Sequence, residues 1–138
     1  MKKNLISVVL KKSPVPHYLI PETVVISDDA KRISGKMNFP SSETSVRDRG
    51  HVNVAHSMLA MWNCAHVLSF LFFKGEKKHL WCVEHTGKAY HVTPMDTDID
   101  VSCTAVSDEK DETRGTFNAE FSLNGKTLQT VSAVFVVR

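Results

Sequence analysis

Hydrophobic and polar residues alternate along this chain with two different periods, and the change of period marks out the elements. In the segment Asp98–Val106, Ile99, Val101, Cys103 and Ala105 fall on one side, while Asp98, Asp100, Ser102 and Thr104 fall on the other. The same period of two runs through Thr116–Leu123, where Phe117, Ala119, Phe121 and Leu123 form the apolar set. Such alternation predicts half-buried antiparallel strands. Asn124-Gly125 then supplies a two-residue hairpin turn into the β-branched run Lys126–Val137. Nearer the start, Val24–Ile26 and Ala30–Phe39 read as a strand pair, with Gly35 at a possible bulge. Leu80–His85 and Lys88–Val92 read as two short strands or a hairpin about a Thr86-Gly87 turn.

Between these strand patterns lies the segment Val52–Phe73, 22 residues without Pro or Gly. Asn53, His56, Ser57, Asn63, His66 and Ser69 are its polar positions. Gly75 follows as a helix stop. The length would suit a membrane span, but hydrocarbon would penalise each polar interruption. A helix apolar on nearly every side in a small protein is expected to be wrapped by other structure. The element order is therefore a strand pair, one long buried helix and about four antiparallel strands. An α+β arrangement with a curved antiparallel sheet wrapped around one central helix buries both, and that layout resembles the hot-dog fold. Sheets of this kind dispose of an exposed edge by pairing with a second copy, so a homodimer or a dimer of dimers is expected.

Composition narrows the picture without redirecting it. With 138 residues, 42% of them hydrophobic, the chain is expected to form a single domain over 1–138, preceded by an extended, proline-bearing segment over 1–22. Lys+Arg 17 against Asp+Glu 15 gives a formal charge of +2, which points to neither nucleic acid nor a membrane surface as partner. Cys64, Cys82 and Cys103 are odd in number and widely spaced, which suits a reducing, cytoplasmic compartment. The opening Met1–Leu10 has too short an apolar run for a signal peptide.

Candidate chemistry concentrates where loop becomes helix, at Asp48-Arg49-Gly50-His51-Val52-Asn53. A helix N-terminus offers unpaired N–H groups and partial positive charge, a combination that polarises a carbonyl and holds an oxyanion. Glycine there allows close approach to the backbone, and an upstream carboxylate can activate water. An ordinary helix start, capped by Asp48 or Asn53 with His51 packed, explains the same residues. On a 3.6-residue helix, His56 and Asn63 lie within about 20° of each other, flanked by Asn53 and His66. This polar seam must face something polar, because burying an amide without a partner costs on the order of 1–3 kcal/mol. Hydrogen bonds to neighbouring strands or a dimer mate satisfy that demand as well as a substrate does. The seven histidines show no metal-ligand spacing, so no metal is expected. Nor is there a nucleophile elbow or a phosphate-binding loop.

Gly50-His51-Val52-Asn53 resembles the Gly-His-Val-Asn motif of hot-dog acyl-CoA thioesterases of the 4-hydroxybenzoyl-CoA thioesterase type. A wider stretch, roughly residues 33–70, is similar to the FcoT-like long-chain acyl-CoA thioesterases. There Gly35–Pro40, Gly50–Asn53 and Trp62-Asn63 stand in the places of that family's motifs. The chain departs from these patterns at Arg47, where an Asp often stands, at Ser45 and Trp62, where tyrosines stand, and at Val54 in place of an Asn. The resemblance implies hydrolysis of acyl-CoA or acyl-carrier-protein thioesters, with coenzyme A part of the substrate and no resident cofactor. It implies that Gly50 and His51 hold the carbonyl oxygen and that Asn63, with Asp48, binds the carbonyl or positions water. Asn53, His56, Trp62 and Tyr18 would then contact substrate. A non-catalytic acyl-CoA-binding protein, or a hydratase, dehydratase or acyltransferase on the same scaffold, remains open.

Overall fold

The computed structural model of the chain describes residues 18–29, 31–42, 60–65, 67–68, 80–111 and 113–137. Six antiparallel strands form one sheet: β1 (Val25–Ile26), β2 (Arg32–Met37), β3 (Leu80–Ala89), β4 (Ile99–Ser107), β5 (Arg114–Leu123) and β6 (Lys126–Val137). Their spatial order is β1-β2-β4-β5-β6-β3. Residues 60–65 and 67–68 are helical and lie in the chain between β2 and β3; they are called α1 below. The expected curved antiparallel sheet around a helix is what the chain forms; the remainder of the predicted Val52–Phe73 helix lies outside the described residues.

The period-two patterns translate directly into faces. Ile99, Val101 and Cys103 of β4, Phe117, Ala119 and Phe121 of β5, and Val131, Ala133 and Phe135 of β6 are all buried in one core. Ala60, Met61, Cys64, Ala65, Val67 and Leu68 of α1 join the same core at no more than 1% exposure. Residues that span more than one side of a helical turn are thus equally buried, which requires cover on more than the sheet side. The residues between, such as Asp100, Asn118 and Glu120, point to the outer face of the sheet. There Lys36 and Asp100 make an exposed ion pair at 3.0 Å.

Three local features follow from residue chemistry. Asn124 and Gly125 both take positive φ, +52° and +77°, as a two-residue hairpin turn between β5 and β6 demands. The hairpin of β1 and β2 forms as expected, with Val25 opposite Ser34 and Ile26 opposite Ile33. Residues 18–20 extend the β1 edge: the Ile20 N–H donates to Lys36 O and the Asn38 N–H to Tyr18 O. A 3-10 turn, Pro21–Thr23, interrupts that edge between the two pieces.

Two expectations about glycine are corrected. Gly35 is not at a bulge; it pairs in regular register with Val101. Its role is close approach: a Cβ there would lie 3.1 Å from Thr23 Oγ1 and 3.3 Å from both Thr23 O and Val24 Cα. The bare backbone lets the 3-10 turn sit against β2, where Thr23 Oγ1 accepts the Lys36 N–H and donates to Ile20 O. Thr86-Gly87 does not turn either. β3 runs through it as one ten-residue strand, with Thr86 opposite Ser132 and Gly87 opposite Val131. The twelve-residue β6 offers a continuous ladder, and those hydrogen bonds outweigh a local turn preference. The irregularity in β3 falls instead between Cys82 and Glu84.

Gly35→Ala is expected to destabilise the protein by about 1–3 kcal/mol, since two of the three crowded atoms belong to backbone. Adding Thr23→Ala should recover only part of that loss, as read from the midpoint of urea unfolding.

Candidate functional site

Asn63 is the single polar residue among the described positions of α1 and is fully buried. Its environment explains how an apolar helix carries it. The backbone N–H of Tyr18 donates to Asn63 Oδ1 at 2.9 Å, across 45 residues of sequence. Tyr18 is held there from both sides. Its carbonyl accepts from Asn38, and its ring packs on Phe39 with centroids 4.7 Å apart. The amide thus ties the helix to the edge segment that runs along β2.

Trp62, one residue earlier, points elsewhere, because successive helix positions differ by about 100°. Its ring lies 5.6 Å from Phe135 of β6, which in turn meets Phe117 edge-on at 5.3 Å. Of the residues proposed from sequence, then, the fold brings Asn63 and Tyr18 into contact and sends the Trp62 ring toward β5 and β6. Asp48, Gly50, His51, Asn53 and His56 lie outside the described residues, and so does His66 of the polar seam.

The approach to this region is fixed by a second set of contacts. Asp96 takes φ +53° in the loop between β3 and β4. Its N–H donates to Phe39 O, and its carboxylate accepts the Ser41 N–H. Hydrogen bonds from Ser41 hold the Asp96 carboxyl below the usual carboxylate range. Asn38 Nδ2 donates to Asp98 at 2.8 Å in the same way. These carboxylates anchor the end of β2, and none is paired with another as an acid–base couple.

Two buried polar residues escaped the reading of the sequence. Gln129 and Thr93 are each 1% exposed, and Gln129 Nε2 donates to Thr93 Oγ1 at 2.9 Å. The signal was present: Gln129 shares parity with Val131, Ala133 and Phe135, so period two places it inward. Its partner could not be read, because Thr93 sits in a loop with no period of its own. The pair fastens that loop to β6.

Below α1, Cys64 and Cys103 meet across the helix–sheet contact, both fully buried. A hydrogen bond with Cys64, then burial, then the charge Cys64 would carry push the Cys103 thiol well above its ordinary range. Burial also raises Cys82, which is only half-buried. On the outer face of the sheet, two adjoining hollows of about 460 and 560 Å³ share Arg32, Ser102 and Glu120. They are open and mixed in charge, with Arg32 Nη2 3.3 Å from Ser102 Oγ. Among the described residues there is no group of three potential metal ligands, and no helix is long and apolar enough to cross a membrane.

The raised thiols lead to a reactivity order. Iodoacetamide at neutral pH should modify Cys82 first and slowly, and leave Cys64 and Cys103 unmodified until the protein unfolds. Mass mapping of the labelled peptides against time checks this.

No protein-family model matches the chain, and no curated protein matches it. Its likeness is to solved structures. A mutant form of the thioesterase PA1618 from Pseudomonas aeruginosa superposes with a TM-score of 0.71 at 12% identity, covering 99% of this chain and 94% of that one. The dehydratase heterocomplex ApeI:P from Xenorhabdus doucetiae gives 0.74 at 15% identity, covering 96% and 90%. A thioesterase superfamily protein, RHA08564, gives 0.60 at 16% identity; the match covers 82% of this chain and only 54% of that longer one. At such identities the likeness is one of fold, and the fold is the hot-dog fold.

Proposed function

We propose that the protein hydrolyses acyl thioesters of coenzyme A or of an acyl carrier protein. The observation that carries this reading is Asn63, a fully buried amide on the central helix whose oxygen is fixed by the Tyr18 N–H. Nδ2 carries two hydrogens, and in this reading one of them meets the thioester oxygen while Oδ1 is held by the Tyr18 N–H. A donor fixed in an apolar, water-poor setting stabilises the charge that develops on a thioester oxygen. The Gly50-His51 backbone at the helix start supplies the other donors, and Asp48 takes a proton from water. The resulting hydroxide attacks the carbonyl carbon. The tetrahedral intermediate then expels the thiolate, which leaves with a proton as the free thiol. Asn53, His56 and Trp62 line the path of the acyl chain. Tyr18 holds Asn63 and closes one side. Motif likeness to the FcoT-like family favours long acyl chains, and relatives in fold that are named thioesterases agree with the reaction class.

A second reading has its own support. The Tyr18 bond already gives the Asn63 oxygen a structural purpose, which fits a protein that binds acyl-CoA without turning it over.

Release of free thiol from acyl-CoAs of increasing chain length, measured on purified protein, tests both readings. Hydrolysis is expected. Asn63→Asp retains an acceptor for the Tyr18 N–H but loses the donor, and should lower kcat/KM by about 10²–10³-fold. Asn63→Ala should add a stability loss of about 1–3 kcal/mol. Binding without turnover, unaltered in Asn63→Ala, selects the second reading; neither binding nor turnover rejects both.

A further inference from the structure

Strand β2 pairs with β4 only as far as Met37 opposite Ile99. Asn38 and Phe39 continue past that last rung, and the connection between β3 and β4 takes over as their partner. In the sheet β5 and β6 stand between β4 and β3, so this connection has to cross the ends of both. It does so on the inner face. Thr93 is buried against Gln129 of β6, and Met95 packs on the core. Beyond them Asp96 and Asp98 meet the residues that leave β2.

Asp96 grips that segment twice. Its N–H donates to Phe39 O at 2.9 Å, and its carboxylate accepts the Ser41 N–H at 2.9 Å. The Ser41 hydroxyl and N–H both favour the ionised carboxyl, holding it below the usual carboxylate range. The two bonds are made together because Asp96 takes φ +53°, a left-handed backbone that aspartate, asparagine and glycine tolerate. Its acidic neighbours along the chain serve differently: Asp98 accepts from the Asn38 side chain, and Asp100 pairs with Lys36. The gripped residues are the ones that place Tyr18. The Asn38 N–H donates to the Tyr18 carbonyl, and the fully buried Phe39 ring lies 4.7 Å from the Tyr18 ring. The Tyr18 N–H in turn fixes Asn63 Oδ1 at 2.9 Å. An exposed residue is thus joined to a buried amide through Phe39 and Tyr18.

We infer that Asp96 is a positioning residue: through Phe39 and Tyr18 it sets the orientation of the Asn63 amide. Through Ser41 the same carboxylate fixes the start of the stretch that leads in sequence to Asp48-Arg49-Gly50-His51. The Tyr18 N–H tells the two ends of the Asn63 amide apart, because the oxygen accepts it and the nitrogen does not. Whatever displaces Tyr18 therefore weakens the contact that keeps Nδ2 as the end presented to a thioester. Reaction rate is sensitive to such displacement, since reacting groups have to be aligned. The inference rests on the thioester reading of Asn63 and adds a residue remote from the substrate on which that reading depends.

Amide hydrogen exchange on the unliganded protein, followed by NMR, tests the coupling. The chain has two tyrosines, so isotopically labelled tyrosine reports on Tyr18, bonded to Asn63, and on Tyr90, bonded to Leu128 O as the reference. The Thr93–Gln129 bond stands between Asp96 and that reference. Asp96→Gly keeps the left-handed backbone and removes the carboxylate, whereas Asp96→Asn keeps the backbone and an acceptor for Ser41. In Asp96→Gly the Tyr18 amide is expected to exchange at least about ten-fold faster relative to Tyr90, and in Asp96→Asn within about two-fold of wild type. With acyl-CoA as substrate, Asp96→Gly should lower kcat about ten-fold at nearly unchanged KM, and Asp96→Asn should retain most of the rate. A purely structural role would speed both tyrosine amides together and leave kcat of the folded fraction unaltered. That pattern, or an unchanged Tyr18 amide in Asp96→Gly, overturns the inference, and so does a loosened Tyr18 amide with wild-type kcat. Exchange is read without substrate. A wild-type protein that hydrolyses no acyl-CoA therefore rejects the thioester reading, while the ratio of the two amides still decides whether Asp96 sets Asn63.

Discussion

Burying a helix on several sides at once sets the terms for everything around it. At residues 60–65 and 67–68 the chain leaves Met61, Asn63, Cys64 and Leu68 at 0–1% exposure, although these positions are distributed around the helical cylinder. One flat sheet covers one stripe of a helix. Wider cover comes from a sheet that curves, as twisted antiparallel strands do, and from added segments that close the remaining sides. The inward rows of β4, β5 and β6 supply the first, and the segment at Tyr18–Ile20 contributes to the second. Gly35 serves the same end at one remove, because without a Cβ it lets the Pro21–Thr23 turn lie close and leads the edge segment past β2.

The polar residues inside this core fasten segments that are distant in the chain. Asn63 holds a backbone N–H that would otherwise have to be satisfied in an apolar setting. Such a bond fixes the orientation of the amide group within the core. Gln129 with Thr93, and Asp96 with Ser41 and Phe39, perform analogous fastening for the loop between β3 and β4. The loop and the end of β2 therefore do not depend on apolar contact alone for their positions.

What could be read from the sequence was whatever local periodicity determines. The inward sets of β4 and β5, the Asn124-Gly125 turn and the burial of the helix all follow from residues close together in the chain. What could not be read depended on partners far away. Thr86-Gly87 has the local character of a turn, and only the length of β6 keeps it extended. Gly35 looks like a bulge until the 3-10 turn across from it is known. The partner of Asn63 is a backbone amide 45 positions earlier, in a segment whose prolines announce only that it is not helical. Hydrophobic pattern fixes which way a residue faces, but the choice of partner is made by topology.

The unequal edges of the sheet also limit how large an assembly can become. A sheet open at both edges can add neighbours without end and is a route to fibres. Here Pro21 removes an N–H from one edge and the short β1 presents little ladder to a newcomer. The two ends of the sheet are therefore unequal as templates: addition of a strand is disfavoured beside β1, and the ten-residue β3 carries the long edge ladder.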